Sequence, residues 1–193
     1  MDKETEARAL AIEALRTAPP VSLFASPLDY IFADHFRHRT LCRILDEIAE
    51  DAEPDLEKTA VALDFLTTDF GSHILDEEED LFPLLRRRST PEDDIKAILG
   101  RLSEEHANDK INAEEIVERL SAILSGADRK DTGSGFRDLL KRFTANERRH
   151  LTAENAIVLP FARARLNEDD LRKLGKHMAA RRGLEYTERD HTV

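Results

Sequence analysis

The chain has no tryptophan, one cysteine and only seven glycines in 193 residues. The lone Cys42 excludes an intrachain disulfide framework and fits a reducing compartment. The lack of thiolates also argues against iron–sulfur and other soft-metal sites. No apolar run is long enough to span a bilayer, and the charged opening MDKETEARAL is not a signal peptide. Positive charge is in deficit: 29 Lys and Arg stand against 40 Asp and Glu, for a net charge of -11. Nucleic acids and anionic membranes are themselves negative, so neither is expected as a partner. The basic runs are short, Arg86 to Arg88 and Arg181–Arg182. These absences predict a cytoplasmic protein. No segment alternates with the period of a strand.

What is present is helix. Apolar residues make up 40% and charged residues 36%, the balance of an Ala, Leu, Glu and Arg-rich helical domain. Residues 3–16 form a short helix ended by Pro19–Pro20. Ser26–Pro27 opens the first long helix, with Ser as cap and Pro at the first position, running to about Glu50. A second runs from about Asp55 to Arg87, and Pro83 is expected to kink its last turn. Gly71 within it either admits a close neighbour or marks a bend. Thr90–Pro91 repeats the cap-plus-proline start of a third helix that runs to about Ser125. Its inward seam includes His106, then Asp109 or Lys110, then Ile116 or Val117. A polar loop from Gly126 to Gly135 leads to a fourth helix, Phe136 to about Arg165. Asn167 caps a last helix over roughly 168–182, followed by a polar tail. The expected fold is all-α: an antiparallel up-down four-helix bundle over 27–165, with an N-terminal helical extension over 1–26 and a C-terminal helix and tail over 166–193.

The chemistry lies in a repeated spacing. His73 precedes Glu77 by four residues and Pro83 follows six later; His150, Glu154 and Pro160 repeat both intervals. Four residues is just over one helical turn, so each His–Glu pair shares a face. That face is apolar on either side, with Leu66 and Phe70 before Glu77 and Leu81 and Leu84 after it. An ionised carboxylate there is costly unless something pairs with it. Each copy follows a lone seam histidine, His35 or His106. The chain reads as two divergent copies of one helical hairpin. Six candidate metal ligands result: His35, His73, Glu77, His106, His150 and Glu154. Six exceed one tetrahedral zinc and suit two ions with bridging carboxylates and open positions. Iron, zinc and manganese all suit imidazole and carboxylate donors.

These residues resemble the hemerythrin-like, HHE cation-binding family. The matching pieces are Asp34–His35, His73-x3-Glu77 with Leu81-Phe82-Pro83, Glu105–His106, and His150-x3-Glu154 with Val158-Leu159-Pro160. The resemblance covers about residues 27–165. It implies a four-helix bundle around two non-haem iron ions, oxo- or hydroxo-bridged, with Glu77 and Glu154 as the bridging carboxylates. Oxygen carriers of the family have a second histidine four residues on in the third helix, where this chain has Lys110. Iron–sulfur repair relatives often carry an N-terminal cysteine pair, absent here. The resemblance implies binding or sensing of oxygen, nitric oxide, peroxide or redox state. Iron storage or donation, including repair of damaged iron centres, is the alternative, and peroxide or nitric oxide reduction a third.

The remaining candidates are weaker. His38, one turn after His35, is a seventh ligand, a hydrogen-bonding neighbour of the ligands, or a polar edge of the seam. Cys42 reads as a small buried hydrophobe and Tyr30 as an ordinary interfacial residue. Apart from Glu77, the acidic run Asp76 to Asp80 reads as a solvated helix face. His177 and His191 receive no role.

Overall fold

The computed structural model describes residues 3–127 and 134–187. His191, and residues 128–133 of the expected loop, lie outside the described residues. Among those described there is no strand. The helices are α1 (Lys3–Arg16), α2 (Pro27–Glu50), α3 (Leu56–Leu75), α4 (Phe82–Arg88), α5 (Ile95–Ser125), α6 (Ser134–Ala153), α7 (Leu159–Arg165) and α8 (Glu168–Arg181). Among the described residues no helix is long and apolar enough to cross a membrane.

Two boundaries differ from expectation. Thr90–Pro91 opens a separate 3-10 turn, Pro91–Asp93, with a reciprocal cap between Thr90 and Asp93. Asp94 then turns left-handed at φ 48°, so α5 begins only at Ile95. Ser26 stands at the start of α2, but its side chain makes no capping bond there. By contrast, Asn167 and Asp170 cap α8 reciprocally.

The larger difference concerns the prolines. Before Pro83 the second long helix widens into a π turn, Asp76–Leu81, between α3 and α4. A second π turn, Glu154–Val158, joins α6 to α7. Proline has no amide proton, and its ring crowds the carbonyl four residues back. One turn of five-residue spacing absorbs the clash. The Phe82 amide bonds to the Glu77 carbonyl and the Leu159 amide to that of Glu154. The intervals from glutamate to proline therefore place Glu77 and Glu154 at matching points of matching turns.

The core divides into two apolar clusters. One holds Leu41, Phe65, Phe70, Ile116 and Phe143; the other holds Ile31, Leu81, Phe82, Leu102 and Val158. Helix α2 passes from the second cluster to the first, α3 with α4 returns, α5 passes out again and α6 with α7 returns. α2 packs against α3 and α6, and α5 packs against the same two helices. On all four paths the buried histidines and carboxylates fall between the clusters. Of the open positions on α5, Asp109 faces inward and Lys110 outward.

The N-terminal helix is pinned by one carboxylate with two tasks. Asp55 accepts from Arg8 Nε at 2.7 Å and Nη2 at 2.8 Å, and from the Glu57 and Lys58 amides at the start of α3. The Arg8 guanidinium and these amides, against a smaller burial effect, pull its carboxyl down to about 2. Because the folded value is depressed, this contribution is complete above the ordinary carboxylate range and is lost as pH falls through about 2. Asp55→Ala should cost about 1 kcal/mol through the lost cap and loosen α1. Denaturation at neutral pH checks the first effect and proteolysis within residues 3–16 the second.

Candidate metal centre

All six ligand candidates are buried, none more than 4% exposed. They form two overlapping groups: His35, His73, Glu77 and Glu154, and Glu77, His106, His150 and Glu154. Within each group, ligand-type atoms all lie within 4.8 Å of one another. Both carboxylates belong to both groups. His35 Nε2 lies 3.8 Å from Glu77 and 3.4 Å from Glu154; His106 Nε2 lies 3.2 Å and 3.8 Å from the same two residues. His73 Nε2 is 3.7 Å from Glu77, and His150 Nε2 is 2.8 Å from Glu154.

A satisfied polar core would turn these atoms into hydrogen bonds. Here both oxygens of Glu77, both of Glu154, and Nε2 of His35 and His106 are buried without a hydrogen-bond partner. Buried polar atoms in folded proteins are nearly always paired. These six crowd one space without aligning on one another's protons, the arrangement that cations placed among them would satisfy. The donor set, imidazole and carboxylate without thiolate, fits iron, manganese or zinc.

The outward nitrogens strengthen this fit. His73 Nδ1 lies 3.2 Å from Asp34, His106 Nδ1 2.6 Å from Glu78, His35 Nδ1 2.8 Å from Asn155, and His150 Nδ1 3.3 Å from Glu105. Ligating imidazoles are usually oriented in this way, with the far nitrogen facing an acceptor. The residue before each α2 or α5 histidine serves the next helix: Asp34 serves His73, and Glu105 serves His150. The residue after each glutamate serves the lone seam histidine of the other hairpin: Glu78 serves His106, and Asn155 serves His35. The two hairpins therefore follow one pattern, with a neutral amide in place of one carboxylate and with His150 Nδ1 facing Glu105 without a hydrogen bond. Sequence reasoning quoted Asp34 and Glu105 only as motif neighbours, read Glu78 as solvated and gave Asn155 no role, although adjacency to a motif residue was a readable signal.

Charge follows the geometry. Burial would push the Glu77 carboxyl up, but His73, His106 and His35 hold it well below the usual range. Burial lowers His73, His106 and His150, yet the facing carboxylates raise them to about 9, 10 and 9. These imidazoles carry protons in the metal-free site that a bound cation would displace.

His38 belongs to neither group of four. Its Nδ1 lies 2.6 Å from Glu147 and its ring 4.2 Å from that of His73, so it stands behind His73. Burial, then the His73 charge, lower its pKa. Burial, then the Glu147 charge, raise the neighbouring Asp109 to about 6. Cys42 is fully buried, and burial pushes its thiol far up, which makes it inert. Tyr30 stacks on Phe24 at 4.5 Å, away from the ligands. Gly71 admits no close neighbour: a Cβ there would meet nothing within 4 Å, and the position opens on a groove with Lys110 at its side.

Of the acidic run only Glu79 is exposed as its composition suggests. Asp76 is 1% and Asp80 9% exposed. Both pair with cations of α8, including Arg181 and Arg182, and His177 lies 2.6 Å from Asp80. The partners are about a hundred residues away, beyond the reach of any local pattern.

A comparison with curated proteins found no match. Residues 26–162 match the model of the hemerythrin HHE cation binding domain. That span is well over half of the chain, and it contains both π turns and all six convergent side chains. The chain belongs to the hemerythrin HHE cation-binding family.

Proposed function

We propose that this is a non-haem di-iron protein that binds or senses a small ligand, oxygen, nitric oxide or peroxide, or a change of redox state. The observation that carries the reading is the sharing of Glu77 and Glu154 by both four-residue groups. His35 and His73 would hold one ion, His106 and His150 the other, and the two glutamates would bridge. The contacts around the helix ring and the alternating traverse of the two clusters support an antiparallel up-down four-helix bundle as the scaffold.

When bound, an iron pair supplies reversible redox change and open coordination positions. The chain does the rest. Asp34, Glu78 and Asn155 orient three imidazole planes and Glu105 faces the fourth, so that the Nε2 atoms aim inward. The apolar clusters on both sides exclude bulk water. Asp34, Glu78 and Glu105 each face the outer nitrogen of a candidate ligand, which favours binding over turnover. Deep burial and fixed imidazoles favour retention of metal over its donation. With one histidine on α5 and an outward Lys110, the site has one imidazole fewer than the family's oxygen carriers.

The deciding measurement is the metal-to-protein ratio of protein made with iron present and purified without chelator. About two irons per chain is expected. One metal, or mostly zinc, would overturn the di-iron reading, and none would return the site to a polar core. Protein that passes is reduced and titrated with oxygen, nitric oxide and peroxide. A saturable optical change is the expected result, and sustained consumption of any of them would make it an enzyme.

A further inference from the structure

Helix α8 lies beyond the matched family region. Its apolar face, Leu174, Met178 and Ala179, is buried in the second core cluster. That docking explains its attachment but not its charges. Asp170 near its start accepts from Arg88 of α4 at 2.7 and 3.1 Å. Near its end Arg181 pairs with Asp76 and, at 2.8 Å, with Asp80, while Arg182 lies 2.7 Å from Asp76. α8 therefore runs antiparallel to the stretch from Asp76 to Arg88 and grips it at both ends. Gly175 holds it against the turn Val21–Ala25: a Cβ there would sit 2.0 Å from the Phe24 carbonyl oxygen.

The gripped stretch is the π turn that carries Glu77. Its ladder is weakened by Pro83, which has no amide to give the Glu79 carbonyl. The turn that carries Glu154 has the same weakness, is tied by Asn155 to His35 and, among the described residues, has no such pair of arginines across it. Seventy-seven residues on, Asp76 and Asp80 are replaced by Ala153 and Ile157. Ile157 is 39% exposed.

We propose that Arg181 and Arg182 are positioning residues for Glu77: through Asp76 and Asp80 they cross-brace its turn, so that α8 makes the two halves of the centre inequivalent. The Glu77 carboxylate is the more firmly held, and the Glu154 turn adjusts more readily when the centre changes its ligand or charge. The consequence for metal rests on the di-iron reading above; the bracing does not.

The test uses the full chain with Arg181→Gln and Arg182→Gln together. Amide hydrogen exchange in the metal-free variant should quicken by about tenfold at residues 77–82 and stay unchanged at 155–159. Metal loss to a chelator should quicken on the order of tenfold. Arg181→Lys with Arg182→Lys, which keeps both charges, should restore most of the protection. Unchanged exchange at 77–82, or equal acceleration in both turns, would overturn the proposal. Should the double variant not fold, Asp80→Asn leaves Asp76 paired and is judged by the same contrast between the turns. Were the wild type to take up no metal, the di-iron reading would fall while the exchange result still decided the bracing.

Discussion

Glu77→Ala is expected to lower the iron content from about two per chain to well below one, and Glu154→Ala to do the same. The argument turns on sharing. Each carboxylate lies with both histidine pairs, so either truncation removes a donor from both positions at once. If each glutamate served one ion alone, each variant would keep a single iron. A content close to one in both variants would therefore remove the bridging assignment, and a content close to two would remove the residue from the site. The metal-free protein should also respond. Glu77 lies within 4 Å of His35, His73 and His106, and truncation leaves raised, buried imidazoles with only Glu154 at the centre. Removing one partner of a buried ionic set costs about 3–5 kcal/mol. Denaturation in chelator measures this term apart from the metal. Glu77→Gln keeps the volume, so it separates loss of charge from loss of packing.

The doubled spacing made most of this centre legible before any coordinates. Histidine and glutamate four apart on an apolar face can be read from helix geometry alone. So can the pairing of the two hairpins, because the proline interval repeats with them. What the proline does was legible only in part. A single proline reads as a kink, whereas two at the same interval from a glutamate belong to two π turns. The residues that brace the imidazoles were hidden for another reason. Asp34 lies beside His35 in sequence but serves His73 on the next helix, and a one-dimensional pattern does not show which side chain crosses the core. Asp76 and Asp80 were misread for the same reason. An acidic run reads as solvated by default, and its arginines come from a helix about a hundred residues later. The start of α5 was displaced by Asp94, whose left-handed backbone ends the 3-10 turn that Thr90 and Pro91 open. Nothing in that residue type alone distinguishes a helix start from a short turn before one.

Asp34→Ala is the strongest test of the bracing rule, because this carboxylate carries more than one task. It accepts from Arg37 Nη1 at 2.9 Å and faces His73 Nδ1 at 3.2 Å, at 1% exposure. Burial alone would raise its carboxyl, but the His73 contact, followed by the His38 and Arg37 charges, holds it far below the usual range. Truncation does not strand Arg37, whose Nη2 still reaches the Leu15 carbonyl at 2.7 Å and Asp69 at 3.1 Å. The cost falls on His73. Its outer nitrogen loses its acceptor, its ring loses one constraint on rotation, and its inner nitrogen is no longer held toward Glu77. A lost partner behind a metal-bound imidazole costs 10- to 100-fold in affinity, and that is the expected range here. In the metal-free protein the loss should be about 3 kcal/mol, at the low end for a broken buried pair because Arg37 keeps two contacts. Asp34→Asn retains an oxygen that accepts from His73, so it should recover most of the metal affinity while Arg37 loses charge pairing. Competition with a chelator of known affinity reads the first quantity, and denaturation of chelated protein reads the second. A drop in stability with unchanged metal affinity would make Asp34 a brace for Arg37 and α1 alone. The parallel between Asp34 and Glu105 would then be one of position without function.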